Sequence, residues 1–200
     1  MYLPRWTIAA AICAAMLAST AALAFDPALV PQAKRTKANL YLASEEVTAF
    51  LAARGGRTLF VDVRTPAELM FVGSTPLIDA NVPVKLGPVL VLTGKKPALS
   101  FEANADFAAG VERRLTAKSL TKSDPVILIC RSGERSAAAA DLLTGAGFSQ
   151  VYSVIDGFEG DVAKDGPGAG HRTVNGWKNK GLPWGYGLDS EKLTVTGSGR

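Results

Sequence analysis

Apolar positions along the chain fall into short runs of strand length that alternate with helical patterns, each bounded by glycine or proline. Thr58 to Val63 and Val126 to Ile129 predict strands, and four consecutive apolar residues in the second point to burial on both faces. Val151 to Ile155 predicts another, with a short strand expected near Asn81 to Val84. A helix is expected from Ser44, as N-cap with Glu45 and Glu46 in its first turn, through Ala53 to the stop at Gly55-Gly56. Thr65 and Pro66 form the cap and first turn of a second helix. Asn104 to Leu115 places Phe107, Val111 and Leu115 on one helical face, and Ser136 to about Leu143 is an alanine-rich helix former ended by Gly145 and Gly147. Thr173 to Lys180 is expected to form a last short helix, whereas Val89 to Leu92 reads equally well as strand or helix turn. Such alternation predicts an α/β fold, a mostly parallel sheet of about five strands with helices on both faces, which binds ligands beyond the C-terminal ends of its strands.

The first two dozen residues follow a different pattern. Met1 to Arg5 is a short positive region, Trp6 to Leu17 is apolar, and Ala22-Leu23-Ala24 has the small-x-small form of a cleavage site. Residues 1–24 are therefore expected to be a signal peptide cut after Ala24, which predicts a periplasmic or secreted protein with no stable membrane anchor. Residues 25–39 read as a lead-in segment, 40–184 as one domain, and 185–200 as a flexible polar tail. Without Arg5 the charge drops from +4 to a mild +3, which argues against a nucleic-acid partner and does not oppose small anions.

Cysteine usage narrows the chemistry. Cys13 leaves with the signal, so Cys130 is the single thiol of the mature chain and no internal disulfide can form. It closes the apolar strand, and only Arg131 to Arg135 separate it from the helix starting at Ser136. In so tight a turn the amides from Arg131 to Ser136 have few internal partners, and the helix adds its positive N-terminal end. That arrangement is an anion cradle with a nucleophile at its floor, favouring a thiolate, while Arg131 and Arg135 offer donors to an oxyanion. The reading requires that Cys130 be open to solvent and that neighbouring amides face it.

Cys130-Arg131-Ser132-Gly133-Glu134-Arg135-Ser136 resembles the active-site loop of the rhodanese family of sulfurtransferases. Asp62-Val63-Arg64-Thr65-Pro66-Ala67-Glu68, Val151 to Gly157, and Asn175-Gly176-Trp177 through Gly181-Leu182-Pro183 are similar to that family's segments in the same order, so the likeness spans residues 40–184. The resemblance implies a rhodanese-like fold and persulfide chemistry. Cys130 would take a sulfane sulfur from a small anion such as thiosulfate and pass it to a thiol or cyanide, or to a protein acceptor. It implies no metal and no organic cofactor. Arg131, Ser132, Gly133, Glu134, Arg135 and Ser136 would bind substrate, with loop bracing as an equal alternative for Arg135. Asp62 and Arg64 are supporting residues, read as a buried pair that fixes the strand end.

The spacing C-x-x-x-x-R is one residue shorter than in the phosphatases that resemble this family, and the smaller ring suits a single sulfur atom. A cysteine phosphatase or arsenate reductase is therefore the first alternative, and a non-catalytic sulfur-carrier or docking module the second. No histidine stands in Val72 to Pro76, where many family members have one. His171, the only histidine, lies in an apparent insertion, Asp161 to His171, and is assigned no role. The stretch from Lys85 to Thr121 also exceeds a minimal module, and Trp177 and Trp184 are expected in the core and at a hinge.

Overall fold

The computed structural model describes residues 27–93 and 96–193, with 88–93 and 96–99 described by backbone alone. The expected signal peptide lies outside the described residues, as do residues 194–200. Five strands form a parallel sheet in the order β1 (Tyr41–Leu42), β7 (Val151–Val154), β6 (Val126–Ile129), β2 (Leu59–Asp62), β3 (Ala80–Asn81). Central β6 is fully buried, as its apolar run requires, and its residues alternate between two cores. Val126, Leu128 and Cys130 face α3 (Phe107–Ala117) and α4 (Glu134–Gly145). Ile127 and Ile129 face α1 (Ser44–Ala53) and α2 (Pro66–Val72), together with Phe158 and Trp177. The period of two along a strand covered on both faces thus assigns Cys130 to the α4 side.

Several expectations need correction. Ser44 is the first helical residue rather than the cap: its amide and hydroxyl both donate to Asp156, and the Glu46 carboxylate takes the Ala43 amide at 2.6 Å. The third strand spans only Ala80–Asn81, although the Val82 and Val84 amides go on to bond the carbonyls of Asp62 and Val63, and the Asn81 side chain donates to the carbonyls of Asp62 and Arg64. The ambiguous stretch is an antiparallel hairpin, β4 (Lys85–Thr93) and β5 (Lys96–Ala103), which pairs with itself outside the main sheet. No helix forms over 173–180. Gly176 adopts a φ of +97°, and the amides of Trp177 and Lys178 bond to the carbonyls of Gly157 and Phe158 instead of to their own segment.

The tail is tied down over the residues described. Ser74 and Gly185 exchange backbone bonds, Arg114 donates to the carbonyls of Glu191 and Leu193, and Leu188 and Leu193 pack on the core beside Leu69 and Ile78. The lead-in is equally anchored: Lys34 bonds Asp161, and the Lys37 amide donates to Asp141 of α4.

Candidate active site

Three strand ends converge at the C-terminal edge of the sheet, carrying Asp62 as the last residue of β2, Cys130 directly after β6 and Asp156 two residues after β7. The chain leaves β6 at Cys130, turns through Arg131 to Gly133 and enters α4 at Glu134. Gly133 makes the turn possible. Its φ is +100°, and a Cβ there would stand 2.1 Å from the Ile155 carbonyl oxygen. From the same side, Gly157 approaches so closely that a Cβ would lie 2.6 Å from the Ser132 amide nitrogen. The turn after β7 also holds the loop's first carbonyls, through Phe158 N to Cys130 O at 2.8 Å and Glu159 N to Arg131 O at 2.9 Å.

Within this frame the Gly133 amide donates to Cys130 Sγ at 3.1 Å. The amides of Arg131, Ser132, Glu134, Arg135 and Ser136 have no acceptor among the described residues. An unpaired set of donors at the start of a 12-residue helix is an anion-binding arrangement. The thiol itself is more covered than the sequence reading required: Cys130 is 1 % exposed. Ser132 and Gly133 fold over it, Ser136 lies against its sulfur, and Lys34 packs against Gly133. An open thiol is therefore not what the fold presents. Two cavities lie elsewhere, about 560 Å³ beside Arg54, Arg57 and Gln150, and about 200 Å³ between Leu69 and Leu193.

Arg135 does not point freely into the cradle. Its guanidinium holds both oxygens of Glu68, at 2.8 and 2.5 Å, in a two-pronged pair that links α4 to α2. Glu68 also accepts from the Thr65 amide and hydroxyl, while Thr65 Oγ1 accepts the Glu68 amide, so one carboxylate caps α2 and braces the loop. Burial opposes its charge, but bonding to Arg135, that residue's positive charge and the Thr65 amide prevail, and the pKa falls from 4.5 to about 2. Arg135, against the cost of its own burial, is held above the usual arginine value by Glu68 and then by Cys130 and Asp62. Arg131 and Glu134 are exposed, and the Arg131 side chain pairs with nothing among the described residues. Ser132 is 9 % exposed and Ser136 wholly buried.

Asp62 and Arg64 are both fully buried and paired, with Arg64 Nη2 at 2.6 Å from Asp62 Oδ2. Arg64 also donates to the Gly73 carbonyl and lies 4.1 Å from the ring centre of Phe158. The pair thus fixes the end of β2 beneath the loop-bracing residues. Glu68 is the important residue that sequence reasoning passed over; its position three residues after Thr65 marks a capping box. Asp156, which ties Ser44 and Gly176 together, gave no such local signal. His171 is exposed in the 161–171 loop.

A parallel α/β sheet with a cysteine under the Arg131–Gly133 turn at its C-terminal edge defines a class of cysteine-centred anion sites. This chain belongs to the rhodanese-like domain family, whose model matches residues 45–164. It is similar to an uncharacterized protein of Rickettsia conorii, 31 % identical over 126 residues that cover 63 % of this chain and 81 % of the relative. It is also similar to thiosulfate sulfurtransferase GlpE of Pseudomonas savastanoi pv. phaseolicola, 36 % identical over 73 residues covering 34 % of this chain and 69 % of that one. The crystal structure of Rv0390 from M. tuberculosis superposes with a TM-score of 0.56 at 32 % identity, covering 73 % of this chain and 96 % of the other.

Proposed function

We propose that the protein is a sulfurtransferase that moves a sulfane sulfur through a persulfide on Cys130. The observation that carries this reading is the 3.1 Å bond from the Gly133 amide to Sγ, in a loop whose other amides are unclaimed. In the first step the Cys130 thiolate attacks the outer sulfur of a donor such as thiosulfate. A Cys–S–S bond forms, the donor S–S bond breaks, and sulfite leaves with the electron pair. In the second step an acceptor such as cyanide or a thiolate takes the terminal sulfur, and Cys130 departs as thiolate. Charge balances in both steps without a base or an external reductant.

The Gly133 amide and the unclaimed amides beside it suit both sulfur anions, since charge moves outward by only one atom between the two steps. With Arg135 held by Glu68, Arg131 is the exposed cation left to meet the outer oxygens of the donor. Burial of Cys130 makes loop opening at Ser132–Gly133 part of the cycle and shields the persulfide between steps. The proposed setting is the periplasm or the exterior, after removal of residues 1–24. Incubating the protein with thiosulfate and then cyanide tests the reading. Thiocyanate should appear for the wild type and be lost in Cys130→Ser, whereas turnover of an aryl phosphate or arsenate would favour the phosphatase-type alternative.

A further inference from the structure

Behind Cys130, on the side away from solvent, stand two hydroxyls that are both fully buried: Ser136 in the first turn of α4 and Ser153 on β7. The Cys130 thiol donates to Ser136 Oγ at 3.6 Å, and Ser153 Oγ donates to Ser136 Oγ at 3.0 Å. Ser136 Oγ donates in turn to the Gly133 carbonyl at 2.9 Å, with the Val154 carbonyl at 3.4 Å. A hydroxyl has one hydrogen and two lone pairs, so Ser136 is saturated while Cys130 is a thiol. When Cys130 ionises it stops donating and becomes an acceptor. Rotating the Ser136 hydrogen onto the sulfur then costs only its bond to Gly133 O, which keeps the Ala137 amide at 3.1 Å. No buried polar group is orphaned in either state.

Ser153 gives the exchange its direction. Its hydroxyl sits on interior strand β7, opposite Leu128 and Tyr41, where an apolar side chain would pack without a hydrogen bond, and its one side-chain bond among the described residues is to Ser136. By occupying a lone pair of Ser136 it orients that oxygen and makes its O–H a stronger donor. The charges around the loop are balanced in pairs: Arg135 with Glu68, Arg64 with Asp62, and Lys34 with Asp161, while Arg131 and Glu134 are exposed. Beside the Arg135 charge, two uncharged groups lie against the sulfur, the Gly133 amide and the Ser136 hydroxyl.

We infer that Ser153 is a positioning residue which, through Ser136, turns a hydroxyl donor onto Cys130 whenever its sulfur is ionised. This rests on the sulfur-transfer reading, in which that thiolate is nucleophile in the first step and leaving group in the second. The test is the pH profile of Cys130 alkylation by iodoacetamide in wild type, Ser153→Ala, Ser136→Ala and the double variant, with folding checked by circular dichroism. Ser153→Ala should move the profile to higher pH and slow alkylation near neutrality about three- to tenfold, equivalent to half a pH unit to one unit. In the Ser136→Ala background the second substitution should add nothing, since its route to the sulfur is gone. If Ser153→Ala proves too unstable, Ser153→Val and Ser153→Thr differ only in the hydroxyl, and Thr alone should keep the wild-type profile. A Ser153→Ala profile that coincides with wild type, or additive effects in the double variant, overturns the inference. Alkylation needs no sulfur donor, so failure of sulfur uptake with a shifted profile would sink the transfer reading and leave the relay standing.

Discussion

Replacing Glu68 with glutamine removes the charge that Arg135 grips while keeping a side chain able to cap α2. In the folded protein the Glu68 carboxyl titrates at about 2, against an ordinary 4.5. At about 1.4 kcal/mol per pKa unit this linkage amounts to roughly 3 kcal/mol, and to about 2 kcal/mol after screening of a pair whose side chains are 20 % exposed. Its sign follows from the direction of the change. A depressed carboxylate stabilises the fold above its unfolded pKa, and that stabilisation drains away as pH falls from about 4.5 towards 2. Urea unfolding of wild type and Glu68→Gln should therefore show a stability gap near pH 7 that is about 2–3 kcal/mol larger than the gap at pH 2, where the folded wild-type carboxyl is about half protonated and most of the linkage is lost. A gap of the same size at both pH values would refute the claim that Glu68 braces the loop as a charge.

Three further outcomes follow from the same geometry. Gly133→Ala should abolish sulfur uptake and cost at least about 2 kcal/mol in urea unfolding, because a Cβ would meet the Ile155 carbonyl at 2.1 Å and strain a φ of +100°. Asp62→Asn leaves Arg64 buried without its counter-charge and should destabilise by about 3–5 kcal/mol in thermal or urea melts; a change under 1 kcal/mol would mean the pair is not holding the strand end. Native Cys130, at 1 % exposure, should react with iodoacetamide far more slowly than in urea, and equal rates would show that the loop does not cover it.

Legibility in the sequence tracked how local each cause is. The run Val126 to Ile129 and the glycine two residues before Arg135 encode strand, turn and helix start within a dozen residues, so the loop could be placed from sequence alone. The central parallel sheet with helices on both faces was legible for the same reason. What stayed hidden depends on partners distant in the chain. Arg135 meets Glu68 across 67 positions, and Ser44 meets Asp156 across 112, which is why the sequence leaves Arg135 equally open to substrate contact and loop bracing and presents Ser44 as a cap. The segment 173–180 has helical composition, but open carbonyls at Gly157 and Phe158 compete for its amides. Burial of Cys130 was likewise invisible, since the loop above it is packed by Lys34, Ile155 and Gly157, none adjacent to it in sequence.

Intact-mass measurement of the protein after exposure to thiosulfate is the most direct test of the central claim, that a covered cysteine under a ring of amides carries sulfur as an anion. Wild type should gain the mass of a single sulfur atom, lose it on addition of cyanide, and Cys130→Ser should gain none. Failure of the wild type to take up sulfur from thiosulfate or any other sulfane donor, under conditions where iodoacetamide reaches Cys130, would contradict the account.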